Sequence, residues 1–207
     1  MKAAQKPKKR SEAARLTRDD WLDAAFRAVV EGGFDNVRVL MLAERLGVTR
    51  GSFYWHFNDH ADLISTLLAR WHKREIDLDQ KVRSLATGEP QADLKLILKA
   101  ALAHAGSDVE NLRFELALRG LGRRDAAVAK MLLAVDQMRF DLFEQEFMRL
   151  TGQAAKAAEL AALFYLAIAG GHQALSRPSS TVNSKKHLLS VITKFLIEQQ
   201  APEPSAI

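Results

Sequence analysis

Apolar residues recur at helical intervals along most of the chain. Large apolar side chains lie three or four positions apart through long stretches between residues 18 and 200, whereas no stretch shows the two-residue alternation of a half-buried strand. Glycines, prolines or short polar segments interrupt this spacing near residues 32–33, 47, 58–59, 87–90, 106, 120–122, 152 and 176–183. The pattern predicts an all-α protein with nine helices.

The first helix is predicted to run from Thr17 to about Glu31. Thr17 is suited to the N-cap and Asp20 to the reciprocal position of a capping box, while Gly32 and Gly33 tolerate the left-handed backbone that ends a helix. One helical face carries the residues expected to be buried, which are Trp21, Leu22, Ala25, Phe26 and Val29.

The next segment, Val39–His60, has the features of two short helices joined by a tight turn. It reads VLMLAERLGVTRGSFYWHFNDH. Ala43 is small where two crossing helices would touch, and Gly47 can take the positive φ that such a turn requires. Thr49 is suited to the N-cap of the second helix. The apolar residues expected beneath the turn are Leu42, Leu46, Val48 and Phe53. The segment is therefore interpreted as a helix-turn-helix.

The second helix of this segment has an unusual composition for a solvent-facing surface. It places an arginine, a glycine and adjacent aromatic and imidazole groups where Lys, Glu and Gln are commoner. Such a face is suited to contact with a planar or anionic partner. Phe57 is interpreted as a core residue, whereas DNA contact is the preferred interpretation for Tyr54 and Trp55.

The sequence LAERLGVTRGSFYWHF resembles the amino-terminal DNA-binding domain of TetR-type transcriptional repressors, and the resemblance extends over residues 17 to 64, through Asp62 and Leu63. It implies a homodimer that inserts one recognition helix per subunit into successive major grooves of double-stranded DNA and leaves its operator when a small-molecule effector binds. The residues that we expect to contact DNA are Arg38, Thr49, Arg50, Gly51, Ser52, Tyr54, Trp55, His56 and His60.

Arg50 is the residue expected to read sequence. It leads the recognition helix, and its guanidinium can donate two hydrogen bonds to O6 and N7 of a guanine. Gly51 has no side chain to keep the backbone away from DNA. The hydroxyl, imidazole and indole groups that follow offer donors to phosphate oxygens, which set register more than sequence.

Four positions depart from the pattern usual in the family. Arg38 stands where the family usually has Thr; it cannot cap the helix but can reach a phosphate, and Asn36 or Asp35 is expected to act as the cap. Leu40 and Met41 replace polar residues and are expected to pack on the amino-terminal tail or on the fourth helix; contact of Leu40 with a thymine methyl is the alternative. His60 takes the place of a phosphate-binding Lys.

Six further helices are predicted after residue 58. The fourth starts at Asn58 or Asp59 and connects the two domains. The fifth covers about residues 91–104, and Ser107 with Glu110 forms a capping box for the sixth. Asp125 caps the seventh, which ends at Gly152, and the eighth and ninth cover about residues 154–175 and 184–199.

The second domain is predicted to hold an effector, with a preference for an apolar or aromatic one. Adaptable apolar groups with nearby polar anchors suit such a site. Its candidate residues are Trp71, His104, Phe114, Arg119, Met138, Phe143 and Phe164. The alternative is that the apolar members belong to the bundle core.

The last two helices are predicted to form the dimer interface. Both are apolar on more than one face, so each is expected to be buried on two sides, with the second side covered by another copy. The candidate interface residues are Leu160, Leu163, Phe164, Ala167, Gly171, Leu189 and Phe195.

Composition and net charge narrow the class of protein further. The 207 residues include no cysteine, and the net charge is +5. Residues 1 to 18 alone carry seven Lys or Arg and one Glu, so the other residues sum to −1. This basic tail is either a polyanion-binding arm or a solubilising terminus. No secretion signal or membrane span is expected, and the protein is placed in the bacterial cytoplasm, at the nucleoid when DNA-bound.

Catalytic and metal chemistry are not expected. The chain has no phosphate-binding glycine loop after a strand and no HExxH motif, so it is interpreted as a non-enzyme without a cofactor. His56 and His60 have the four-residue spacing of metal ligands, but a helix break near Asn58 and the lack of a third ligand argue against a metal site.

The sequence thus predicts a ligand-responsive, DNA-binding repressor. The expected organisation is a basic tail over residues 1–16, a DNA-binding domain over 17–60, a ligand-binding and dimerisation domain over 61–200, and a frayed tail over 201–207. The alternatives are an activator, or a helix-turn-helix protein whose second domain binds a protein partner.

Overall fold

A computed structural model describes residues 16–107, 109–175 and 182–200, although the side chains of residues 103–107, 175 and 182–185 lie outside this description. Within these ranges the chain is helical and contains no strand. The predicted tails, at residues 1–15 and 201–207, lie outside it as well. The helices are α1 Arg18–Gly32, α2 Val39–Leu46, α3 Arg50–Phe53, α4 His60–Ser84, α5 Pro90–Ser107, α6 Val109–Gly122, α7 Ala126–Thr151, α8 Ala154–Leu175 and α9 Val182–Ile192. All-α architecture is confirmed.

Three helices start at side-chain caps that the sequence predicts. Thr17 and Asp20 form a reciprocal capping box at α1. The Asp59 carboxylate accepts from the Asp62 backbone N–H at 2.8 Å at the start of α4, and the Asp125 carboxylate accepts from two backbone N–H groups at the start of α7. These bonds satisfy donors that the first helical turn leaves without a partner.

The side-chain cap predicted for the first helix of the motif is wrong. Arg38 occupies the N-cap of α2 and no side chain caps that helix, so neither Asn36 nor Asp35 acts as the substitute. The Arg38 Nε atom instead donates to the Asp35 carbonyl at 3.1 Å. Thr49 does sit at the N-cap of α3, but its side chain makes no capping hydrogen bond.

Several helix bounds also differ from the prediction. The fifth helix reaches Ser107 rather than His104, and α6 continues through Gly120 to Gly122. The ninth starts at Val182 and is followed by a π turn over Thr193–Ile197 and a 3-10 turn over Glu198–Gln200. Packing of flanking apolar residues outweighs the weak helix preference of glycine in α6. The capping box predicted for Ser107 and Glu110 involves a side chain outside the described set.

One apolar core joins the amino-terminal helices to α4, α6 and α7. Phe114 of α6 is fully buried, with its ring centroid 5.0 Å from that of Phe26 and 5.7 Å from that of Phe34. Trp71 of α4 belongs to the same core. The effector role predicted for Phe114 and Trp71 is therefore wrong, because both side chains connect the DNA-binding domain to the bundle.

A second core lies between α5, α7 and α8. Phe164 is completely buried there, with edge contacts to Phe143 and Phe147 at centroid distances of 5.0 and 5.5 Å. Leu160 is buried in the same core, and Gly171 packs against Leu188 and Leu102. These contacts all lie within one subunit. The predicted assignment of Phe164, Leu160 and Gly171 to the dimer interface is therefore wrong.

Helix α8 is more apolar than the sequence analysis assumed. Residues 154–174 are long and apolar enough, by length and composition alone, to cross a membrane. The core helix of a soluble bundle meets the same test. Because Ala157, Ala161 and Phe164 pack inward against α5 and α7, we interpret α8 as a core helix with one uncovered side.

Candidate nucleic-acid interface and ligand cavity

Helices α2 and α3 form a helix-turn-helix at the position predicted from the sequence. Gly47 adopts a left-handed backbone with φ 68° and ψ 29°, which confirms the reason for a glycine here. The Val48 N–H donates to the Ala43 carbonyl at 3.0 Å and closes the turn. Regular α-helix ends at Phe53, and residues 54–56 continue as turns bonded three residues back. The recognition helix is thus shorter than predicted.

Buried aromatic rings fix the orientation of this unit. Phe53 and Phe57 are buried, as predicted for Phe57, and their rings stack with centroids 5.4 Å apart. Trp21 of α1 packs edge-on against Phe53, also at 5.4 Å. Arg18 places its guanidinium over the Phe57 ring at 4.7 Å and pairs with Asp62, so the starts of α1 and α4 are joined beneath α3.

The opposite face is exposed. Trp55 has 86% of its surface accessible, and Tyr54 is also exposed, with its hydroxyl accepting from Arg50 Nη2 at 3.4 Å. An indole so fully exposed gains little from folding, which favours a contact with a partner. The residues of the predicted DNA-binding set that share this face as exposed or half-buried groups are Thr49, Arg50, Gly51, Ser52, Tyr54, Trp55 and His56.

Two other residues that we expect to contact DNA, His60 and Arg38, already make hydrogen bonds within the protein. His60 Nε2 donates to the Val37 carbonyl at 2.6 Å, which ties the start of α4 to the segment before α2. Only its Nδ1 atom could reach a phosphate, so His60 has a positioning role that the sequence analysis missed. Arg38 uses Nε on the Asp35 carbonyl, while it remains exposed.

Leu40 and Met41 are exposed, at 58% and 46% of their surfaces, on the first helix of the motif. The packing on helix four that we predicted for them is therefore wrong, and the tail lies outside the described residues. The alternative, contact of Leu40 with a thymine methyl, stays a prediction and is favoured by this exposure.

A cavity of about 390 Å³ lies in the bundle between α4, α5, α6, α7 and α8. Most of its wall is apolar, and its polar groups lie on α4, α6, α7 and α8. Among the predicted effector residues, Arg119, Met138 and Phe143 line it. Trp71, Phe114 and Phe164 do not, and the His104 side chain lies outside the described part. Arg139, which the sequence also offers as a polar anchor, lines the cavity, and the polar lining residues that the sequence analysis missed are Glu75, Asp79, Asn111, Glu115, Tyr165, His172 and Gln173.

Alternating charges form a chain along one wall of this cavity. Arg139 Nη2 is 2.7 Å from Glu75 Oε2, and Arg139 Nη1 is 2.9 Å from Glu115 Oε1. Arg119 Nη2 lies 2.7 Å from both Glu115 Oε1 and Asp136 Oδ1. The chain runs from Asp136 to Glu75 and so ties α4, α6 and α7 together. Because these groups are half-buried or buried, each arginine needs its carboxylates.

The charges hold each other in their ionised forms. Burial alone would raise the pKa of the Glu115 carboxyl, but the charges and hydrogen bonds of Arg139 and Arg119 lower that pKa to about 2. The hydrogen bonds to Asp136 and the charge of Glu115 raise the Arg119 pKa above its ordinary value. Burial, together with a hydrogen bond to Asp136, raises the Tyr165 pKa to about 12. Glu115, Arg119 and Arg139 are therefore charged, and Tyr165 is neutral, at neutral pH.

An apolar surface is left uncovered on α8, at the end of α9 and in the segment after α9. Leu163 and Leu166 are exposed at 53% and 64%, one helical turn apart, and Val191 and Phe195 are exposed as well. Leu163 and Phe195 belong to the predicted dimer set; Leu166 and Val191 were missed. Exposed large apolar groups on neighbouring helices are typical of an interface. Ala167 and Leu189 are half-buried, and their role stays a prediction.

A helix-turn-helix with an exposed arginine, glycine and tryptophan, joined by one long helix to a bundle with an internal cavity, is typical of DNA-binding regulators. Residues 22–67 match the sequence profile of the "Bacterial regulatory proteins, tetR family". The amino-terminal domain of this chain is therefore similar to the DNA-binding domain of TetR-family regulators.

Individual relatives agree with this assignment. The chain is 34% identical over 87 residues to the HTH-type transcriptional regulator TtgR of Pseudomonas putida, a match that covers 42% of this chain and 41% of that protein. The fold of a transcriptional regulator from Rhodococcus sp. Rha1 matches 91% of this chain and all of its own, with a TM-score of 0.73 and 15% identity. A regulator from Saccharomonospora viridis, solved in complex with choline, matches 84% of this chain and 94% of its own, with a TM-score of 0.68 and 20% identity.

Proposed function

We propose that the protein is a homodimeric transcriptional repressor of the bacterial cytoplasm, released from a palindromic operator by a small-molecule effector. The observation that carries this proposal is the exposed Arg50, Gly51, Tyr54 and Trp55 face on a helix-turn-helix of a family of regulators. The relatives named above are regulators, and no catalytic constellation is needed for this activity. The protein acts without a cofactor.

DNA recognition divides between base and phosphate contacts. Arg50 reads a guanine in the major groove, while Tyr54, Trp55, Ser52 and His56 contact the sugar-phosphate backbone and set the register. Residues 17–60 contain five Lys or Arg and seven Asp or Glu, so the domain itself is not basic. The basic segment at residues 1–16 therefore supplies the long-range attraction to phosphate.

The cavity communicates with the DNA-binding domain by two contacts. Glu75 of α4 is bonded to Arg139 in the cavity wall, and α4 begins directly after the recognition segment. Glu115 of α6 lies in the same wall, while its neighbour Phe114 packs against Phe26 of α1 and against Phe34. An effector that displaces the ion pairs of Arg139 shifts α4 and α6. This shift favours a spacing of the two recognition helices in the dimer that does not fit the operator. That a regulator of the same fold was solved with choline supports a small-molecule effector.

We expect Arg50→Ala to weaken binding to an operator recovered by selection from genomic DNA by ~1–3 kcal/mol, which is the energy of one bidentate arginine–guanine contact. Arg70→Ala is the matched control, because Arg70 lies on α4 and pairs with Asp23 at 2.7 Å. Fluorescence anisotropy with labelled operator measures both. Unchanged affinity in Arg50→Ala would show that this arginine does not read a base.

Gly51→Ala separates a DNA-contact role from a structural one. A Cβ atom at Gly51 would meet only Thr49 Oγ1, at 3.7 Å, and Gly51 does not have a positive φ. The substitution should therefore leave the folded state intact or stabilise it by up to ~1 kcal/mol. Operator affinity should fall about tenfold, because the methyl group keeps the backbone away from DNA.

The matched control is Gly120→Ala on α6, where an added Cβ meets nothing within 4 Å. It should stabilise the helix by a similar amount without changing operator affinity. Thermal unfolding and anisotropy titration distinguish the two effects. Equal affinity of the Gly51→Ala variant and the parent protein would contradict a close approach of the backbone to DNA at residue 51.

A further inference from the structure

The cavity has an excess of negative charge on its wall. The chain of ion pairs has carboxylates at both ends, with Asp136, Glu115 and Glu75 against Arg119 and Arg139. Asp79, one turn after Glu75 on α4, also lines the cavity and pairs with Arg83. Among the described groups that line the cavity, three carboxylates (Glu75, Asp79 and Glu115) therefore face two guanidinium groups (Arg119 and Arg139), which leaves one unit of negative charge in a mostly apolar space.

Asp79 has an incomplete set of hydrogen bonds. Its Oδ2 atom accepts from Arg83 Nε at 2.7 Å, whereas its Oδ1 atom is buried and has no hydrogen-bond partner among the described residues. A buried carboxylate oxygen without a donor carries an unfavourable desolvation energy. This oxygen is not itself exposed to the cavity, but a positive charge held in the cavity would stabilise the Asp79 carboxylate through its field.

Aromatic rings lie on other walls of the same cavity. Phe143 of α7 and Tyr165 of α8 both line it, and Tyr165 is held in the neutral form. The faces of such rings attract organic cations. The arginines, in contrast, are already bonded to carboxylates, so an incoming anion would find no unpaired guanidinium in this chain of ion pairs.

We propose that the cavity binds an apolar compound carrying one positive charge, an organic ammonium, with the charge held between Glu75 and Asp79 on α4 and the aromatic rings of α7 and α8. The proposal rests on the proposed function only in taking this cavity as the effector site. Residues four apart on a helix lie roughly 5–6 Å from each other at Cβ, so one ammonium group can interact with both carboxylates. A ligand held there acts directly on the helix that leads to the DNA-binding domain.

The test uses three probes with the same apolar chain and different head groups: octyltrimethylammonium, octanol and octanoate. Each is titrated calorimetrically into the full-length protein without DNA. The cation should bind about tenfold more tightly than the alcohol, and the carboxylate more weakly than either. Octanoate binding as tightly as the cation, equal affinities for all three, or no binding of the cation at millimolar concentration would overturn the proposal.

A matched pair of variants locates the charge. Asp79→Asn removes the excess negative charge from the cavity and should reduce the preference for the cation over octanol by about three- to tenfold. Asp77→Asn lies on the same helix but removes an exposed carboxylate paired with Lys73, so it should leave the preference unchanged. Full retention of the preference in Asp79→Asn would contradict the placement at α4. If circular dichroism shows that Asp79→Asn does not fold, the order of affinities of the three probes for the parent protein decides whether the proposal holds.

A separate experiment distinguishes this inference from the proposed function. The same three probes are added to the preformed complex with operator DNA. If the cation binds without releasing DNA, the proposed class of ligand is supported and effector-controlled repression is contradicted. If only octanol or octanoate releases DNA, effector-controlled repression is supported and the proposed organic cation is contradicted.

Discussion

Replacement of Arg139 by alanine is expected to destabilise the protein by ~3–5 kcal/mol, because it leaves Glu75 and Glu115 as buried carboxylates without their shared partner. Both carboxylates are at most 8% exposed, so water cannot replace the guanidinium. Chemical denaturation measures the change in the free energy of unfolding. Arg124→Ala is the control, since Arg124 forms an exposed pair with Asp35 at 3.7 Å and should change stability by less than about 0.5 kcal/mol.

The same ion pairs make a specific contribution to acid stability. The Glu115 pKa is lowered from 4.5 to about 2 in the folded protein. A lowered folded-state pKa stabilises the protein above the unfolded pKa, and this stabilisation is lost as the pH falls through the folded value. The stability difference between the parent protein and Arg139→Ala should therefore narrow between pH 4.5 and about 2. A difference of less than 1 kcal/mol at neutral pH would show that the network is not a determinant of the fold.

Substitution of both Leu163 and Leu166 by glutamate is expected to convert the dimer into a monomer and to abolish operator binding at micromolar concentration. These two side chains provide the most exposed apolar surface of α8, and a pair of buried glutamates on each subunit would oppose association. Without the dimer, a single recognition helix contacts only half of the operator. Sedimentation velocity and anisotropy titration measure the two losses.

Leu133→Glu serves as the control for this variant. Leu133 is also exposed, at 68%, but it lies on α7 and not on the α8 and α9 surface. The control should remain dimeric and bind DNA. A parent protein that is monomeric at micromolar concentration, or a double variant that stays dimeric, would contradict the assignment of this surface as the dimer interface.

The DNA-binding half of the molecule could be predicted almost entirely from local sequence. Thr17, Gly47 and Asp59 act within a few residues of their own positions, so the capping and turn rules were sufficient. Prediction was less successful at the start of α2, where two local interactions compete for the same side chain. Arg38 was expected to leave the cap of α2 to a neighbour, yet its Nε bonds to Asp35 and the helix starts without a side-chain cap.

The ligand cavity could be predicted only in part, for a related reason. Apolar residues on a helical bundle have the same spacing whether they fill a core or line a cavity, so Phe114 and Phe164 could not be separated from Phe143 by pattern. The charged wall gave an even weaker signal. Glu75, Glu115 and Arg139 resemble ordinary surface residues of a helix until three helices bring them together.

Local sequence was enough to predict that the chain is helical and where most helices begin. It also predicted a helix-turn-helix with an aromatic and basic face within residues 39–60, because these properties depend on contacts within one or two helical turns. The packing of the helices alone shows which apolar residues join the amino-terminal helices to the bundle, which remain exposed, and which charges meet around the cavity. Those outcomes depend on the packing of residues far apart in the chain, and helical spacing is the same for all of them.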